Sequence, residues 1–120
     1  MKILIDNCLD TRVARLFDGH DVTHAWKQGW RDYRNGRLLA AAAAAGFEVV
    51  VTIDKNIRHQ QNLATLPTSV LELDVTSSRL GDVEGLAAFL GAAVRETARY
   101  RFVSLKPGGL LERLSPRTVE

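Results

Sequence analysis

The 120-residue chain has a single cysteine, Cys8. One thiol cannot close an internal disulfide, so a stapled secreted scaffold is excluded and a reducing, cytoplasmic setting is expected. Long apolar runs are missing as well. The best candidate, 38–47, is mostly alanine and falls short of the roughly 20 residues that cross a bilayer. No membrane association is therefore expected. A secretion signal is not evident either, because Met1 leads at once into strand-like Lys2-Ile3-Leu4-Ile5. Charge of one sign is not in large excess. A net charge of +2 permits a nucleic-acid partner without implying one. No repeat or compositional break divides the chain, so it reads as one domain, large enough for one core without metal or disulfide staples.

What is present alternates between strand and helix patterns. Residues 2–6 form an apolar, isoleucine-rich run that ends at Asp6. Asp10 can cap a helix carrying Val13, Ala14 and Leu16, with Gly19 at its end. Residues 20–24 alternate as a half-exposed strand. An irregular stretch, 26–34, holds both tryptophans. A helix is expected from Asn35, as N-cap, through the alanines to Ala45, closed by Gly46. Residues 48–53 are the clearest strand, with Val49-Val50-Val51 at its centre and Asp54 at its end. A short helix over 55–64 and a strand over 69–75 follow. Ser78 or Asp82 then caps the longest helix, whose apolar positions 83, 86, 87, 90 and 94 have the period of a helix packed on one face. A last strand is expected over 101–105. The domain is taken as 1–106, with 107–120 a loosely attached tail. This order predicts an α/β fold with a mainly parallel sheet of about five strands, covered by helices on both faces.

In such a sheet, ligands bind beyond the carboxyl ends of the strands. Asp6 and Asp54 both end strands. If those strands are neighbours, about 4.8 Å apart, the two carboxylates can share one Mg²⁺ or Mn²⁺. Such a site can support metal-assisted phosphodiester hydrolysis. The alternative is that Asp54 caps the helix after it and Asp6 accepts backbone hydrogen bonds from its own turn. Lys55, at a helix start, suits a phosphate. Trp26, Trp30 and Tyr33 are interleaved with Lys27, Arg31 and Arg34. That pattern suits stacking of single-stranded bases, anchoring of a protein partner, or packing under a loop. His20 and His24 share a strand face but have no third ligand nearby. Cys8 reads as small packing material.

Five segments together resemble the small bacterial PIN-like proteins. They are Leu4-Ile5-Asp6-Asn7-Cys8-Leu9, Gly19-His20-Asp21-Val22, Asn35-Gly36-Arg37-Leu38-Leu39, Val51-Thr52-Ile53-Asp54-Lys55-Asn56 and Gln60-Gln61-Asn62-Leu63. The resemblance covers 1–106. It implies a PIN-like three-layer α/β/α sandwich with an acidic pocket. It also implies a Mg²⁺- or Mn²⁺-dependent ribonuclease acting on single-stranded RNA, many such proteins being toxins held inactive by a small antitoxin protein. Carried over by position, Asp6 matches the first acid of the pocket and Asp54 the acid after the central strand. These two are the expected metal ligands. Asn35 stands where many relatives have an aspartate. Its amide oxygen can ligate a cation but adds no charge. Asp32 or Asp74 can supply the missing acid, Asp74 from near the carboxyl end of its strand.

Asp6, Asp54, Asn35 and Asp74 are therefore the candidate catalytic set. Lys55, Arg34 and Arg58 are the candidate RNA contacts, with Gln61 (or Gln60, which spacing does not separate from it) facing the pocket. Two hypotheses follow. One is a PIN-type toxin ribonuclease. The other is a catalytically impaired module that binds RNA or an antitoxin-like protein through 26–37. A homodimer is compatible with both.

Overall fold

The computed structural model describes residues 1–114. Six strands form one sheet: β1 (Lys2–Ile5), β2 (Asp21–His24), β3 (Val49–Thr52), β4 (Ser69–Leu73), β5 (Phe102–Leu105) and β6 (Leu111–Arg113). Their order is β2-β1-β3-β4-β5-β6. The first five are parallel and β6 is antiparallel to β5. Four α-helices accompany them: α1 (Asn35–Ala44), α2 (Asn56–Gln60), α3 (Leu80–Glu84) and α4 (Ala87–Tyr100).

Both sheet faces are buried, which is why β3, β4 and β5 carry no exposed residue. On one face Ile3, Ile5, Val49, Val51, Leu71 and Val103 pack with Val83, Leu90 and Val94 of α3 and α4. On the other, Leu4, Val50, Val70 and Phe102 pack with Leu38, Leu39 and Ala42 of α1 and Ile57 of α2. Of the alanines in α1 only Ala42 is fully buried, so Leu38 and Leu39 carry most of that helix's packing. Gly46 closes that helix at φ +85°, a conformation only glycine adopts freely.

The α/β class and the mostly parallel sheet are as expected, but there are six strands rather than five. The sixth lies in the segment after Pro107, where a glycine turn folds the chain back: Lys106 N–H donates to Leu110 O at 2.8 Å. The rest of that expected tail, 115–120, lies outside the described residues. Other expectations shift locally. The helix after Asp10 is a 3-10 turn, Thr11–Leu16, and ends before Gly19. Asn35 is not an N-cap: Arg34 holds that position, and Asn35 takes φ +45° as the first helical residue. The helix after Asp54 stops at Gln60, because the Asn62 side chain takes the Ala64 N–H into a turn. The expected longest helix is two helices broken at Gly85, and neither Ser78 nor Asp82 caps it.

Candidate functional site

The chain leaves β1 toward β2 on one side and, later, toward β3 on the other. The gap beyond the ends of β1 and β3 is therefore the switch point of this sheet, where open α/β folds bind ligands. Asp6 and Asp54 lie there. Asp6 N–H still donates to Val51 O at 2.9 Å, so the β1–β3 ladder holds the first acid in register. A small cleft of about 30 Å³ is lined by Asp6, Asn7, Cys8, Arg34, Asn35 and Asp54. That volume suits an ion with its water rather than a drug-sized ligand, which needs about 300 Å³ or more.

Thr52 joins the two acids. It is fully buried at the end of β3. Its hydroxyl donates to Asp6 Oδ2 at 2.7 Å and accepts Asp54 N–H at 2.9 Å. Asp6 is itself buried, at 7% exposure. Its Oδ1 accepts Asn7 N–H at 2.6 Å. Asp54 Oδ1 accepts Asn56 N–H at 2.9 Å at the start of α2. Both acids thus accept backbone N–H groups of the turns they start, Asp54 from one position before the N-cap Lys55, and both residues still line the same cleft.

The two asparagines add neutral oxygens. Asn7 Nδ2 donates to Trp30 O at 2.8 Å and Tyr33 O at 3.0 Å. Both partners are carbonyls, so the amide nitrogen must face them and Oδ1 must face elsewhere. Asn35 Nδ2 donates to Gln60 Oε1 at 2.6 Å. The Oδ1 atoms of Asn7 and Asn35 are buried with no hydrogen-bond partner among the described residues. Asn7 and Asn35 line the same cleft as Asp6 and Asp54, so two neutral amide oxygens without partners belong to residues of the acidic cleft. A hard cation such as Mg²⁺ or Mn²⁺ suits oxygen ligands of this kind. Among the described residues no three His, Cys, Asp or Glu converge on a metal position, and the acids lining the cleft are Asp6 and Asp54.

Cys8 is exposed as a residue, but its thiol turns inward, donating to Asp6 Oδ2 at 3.4 Å and lying 3.5 Å from Thr52 Oγ1. Burial of the sulfur and the Asp6 charge push its pKa up to about 11. It is a neutral wall of the cleft, not a nucleophile at neutral pH.

The structure brings Asp6, Asp54, Asn35 and Arg34 together and does not bring in the rest. Asp74 is tied to Lys106 at 3.1 Å and Lys55 at 3.2 Å. The two lysines, Lys106 foremost, hold its carboxyl below the ordinary range. It does not line the cleft, and Asp32 is exposed and outside it too. Lys55 is occupied by Asp74 and by Val75 O at 3.1 Å. Arg58 turns under α2 to Glu72, donating Nε to Oε2 at 2.9 Å and a terminal nitrogen to Oε1. Glu72 is fully buried and also accepts from Ser104 at 3.1 Å. Arg58 is therefore a structural partner and not an open RNA contact. Gln61 packs its amide on Gly36; it is Gln60 that reaches Asn35. His24 is buried, with one ring nitrogen 2.8 Å from Leu9 O and the other accepting Trp26 N–H, so neither is open to a metal.

Sequence reasoning passed over Asn7 and Thr52. A faint signal exists for Thr52: it is the one polar residue inside the apolar run 49–53, two positions before Asp54. Fold and cleft together define an α/β domain with an acidic site at the switch point of its sheet. Compared with protein-family models, curated proteins and solved structures, the chain matches none.

Proposed function

We propose that the chain is a metal-dependent ribonuclease of PIN type, the toxin component of a bacterial toxin–antitoxin pair acting in the cytoplasm. The observation that carries the hydrolase reading is the cleft itself. One threonine braces the Asp6 carboxylate and the Asp54 backbone, so two acids line one cleft, and the Oδ1 atoms of Asn7 and Asn35, which line it too, have no hydrogen-bond partner among the described residues. The PIN type and the toxin role rest on the resemblance in sequence. Asp6 and Asp54 would hold Mg²⁺ or Mn²⁺, with Asn7 and Asn35 as neutral ligands. When bound, such a cation supplies Lewis acidity, polarising a phosphate oxygen and lowering the pKa of water beside it. Thr52 keeps the Asp6 carboxylate oriented, and Arg34 at the cleft offsets phosphate charge.

The test is cleavage of end-labelled single-stranded RNA in Mn²⁺ or Mg²⁺, with Asp6→Asn and Asp54→Asn beside the wild type. Cutting by wild type that is lost in both variants is expected. Equal cutting by all three overturns the assigned site. A second reading is favoured by the ligand set: amides at 7 and 35 add no charge, so a cation is held less tightly. In that reading the chain is a catalytically impaired module that binds RNA or a small antitoxin-like protein. Wild type that binds RNA but cuts none at millimolar Mn²⁺ selects it.

A further inference from the structure

We propose that residues 26–37 form a binding surface for single-stranded nucleic acid that leads into the acidic cleft. The inference deepens the nuclease reading and rests on it for the choice of RNA as the first probe. Four cations, Lys27, Arg31, Arg34 and Arg37, stand in this segment against one acid, Asp32. The partner such a segment attracts is a polyanion. The aromatics among them say which kind. The Arg31 guanidinium lies 4.3 Å from the Trp26 ring centre and that of Arg37 lies 3.9 Å from Tyr33. Tyr33 stacks on Trp30 with centroids 5.7 Å apart and planes 5° apart. Trp30 meets buried Phe47 edge-on at 6.1 Å. The ladder is thus anchored in the core at Phe47, while Trp26 stays 48% exposed. Trp26 thus offers an exposed flat ring beside the Arg31 cation, the pairing that a base and its phosphate require. A duplex hides its base faces and does not match.

The surface is joined to the cleft by covalent and hydrogen-bonded links. Asn7, which lines the cleft, holds the backbone carbonyls of Trp30 and Tyr33. Arg34 and Asn35, the next residues, line the cleft themselves. A strand stacked on Trp26 and paired with Arg31 and Arg37 therefore passes its backbone by Arg34 and the two acids.

The experiment is fluorescence anisotropy in EDTA with a labelled 12-nucleotide single-stranded RNA, the matching single-stranded DNA and the RNA duplex. Without divalent cations, binding is read apart from cutting. Single strands are expected to bind at least about tenfold more tightly than the duplex. Trp26→Ala and Arg31→Ala should each weaken single-strand binding about tenfold. Arg31→Ala should also flatten the salt dependence by about 0.7 in log–log slope. Trp26→Phe, which keeps an aromatic face, should restore most of the affinity and guards against a folding defect. RNA and DNA bound alike mean that the surface reads bases and phosphates without the 2′-hydroxyl. Duplex bound as tightly as single strand, or variants that bind like wild type, overturn the proposal. So does failure of any single strand to bind, which would leave these aromatics to a protein partner. If single strands bind through Trp26 and Arg31 but no RNA is ever cut, the nuclease reading falls and this surface stands.

Discussion

Thr52 carries two hydrogen bonds through one hydroxyl, donating to the Asp6 carboxylate and accepting the Asp54 backbone N–H. Thr52→Val keeps its shape and removes both bonds. A buried carboxylate oxygen and a backbone N–H then lose partners, at about 1–3 kcal/mol. Urea unfolding should show that loss. Calorimetric Mn²⁺ titration should show weaker binding, while Thr52→Ser should restore both. Cys8 supplies a second prediction at this scale. With its pKa near 11, the folded thiol stays protonated at pH 8, where a free cysteine is partly thiolate. Iodoacetamide should therefore label the folded protein slowly in EDTA. The rate should climb toward pH 11, and Asp6→Asn should raise it at pH 8 by removing a charge that opposes the thiolate. No acceleration would place the thiol away from Asp6. Asp6 and Asp54 were legible from sequence because a carboxylate that ends an apolar strand stands out. Asn7 was not. Its role depends on which way its amide faces, and that is set by carbonyls 23 and 26 residues further on.

At the scale of elements, α2 shows how a short helix is held. Five residues are too few for a stable helix on propensity alone. Ile57 enters the core beneath α1, and Arg58 pairs with Glu72 on β4. Asp6, Thr52, Glu72 and Ser104 share one sheet face, as the strand registers require. A polar row thus closes that core at the end bearing the cleft. Alternation along 69–75 places Glu72 and Asp74 on one face, but alternation alone does not say that Glu72 is buried against Arg58 while Lys55 and Lys106 hold Asp74. Arg58→Met leaves the Glu72 carboxylate buried without its cation and should cost about 3–5 kcal/mol in urea unfolding. Adding Glu72→Met should recover most of that loss, since an ion pair replaced as a unit costs little. A double variant no more stable than the single would mean that the Arg58–Glu72 pair is not what Arg58 contributes at this position. At the other edge, a Cβ at Gly109 would come within 2.6 Å of the Phe89 ring, and its φ is +95°. Gly109→Ala should therefore destabilise the β5–β6 hairpin. Hydrogen exchange at the β6 amides should rise before any change at β1 or β3.

The whole molecule is a sheet with two cores, and its alternating order was legible because strand and helix periods differ. The sixth strand was not, because three residues with one apolar side chain partly buried carry no period. What binds the sheet's carboxyl end across elements is Asp74. It leaves β4 and pairs with Lys55, just before α2, and with Lys106, just after β5. Lys106 and then Lys55 lower its pKa from the ordinary carboxylate value. The folded value lies below the unfolded one, so the clamp contributes its full stability above about pH 3.9. That contribution is lost as pH falls through the lowered value. The three side chains are 31%, 45% and 28% exposed, so solvent screening limits the effect to about 1 kcal/mol. Asp10 is also held low, to about 2, by the Arg12 side chain. The raw acid limb of a stability curve therefore mixes the two, and only comparison with Asp74→Asn isolates the clamp. Urea midpoints should show the variant less stable than wild type at pH 7, with the gap closing as pH falls through the lowered value and shrinking in 1 M salt. A gap that stays unchanged across the whole acid limb would mean that Asp74 acts through packing or a neutral hydrogen bond and not through its charge.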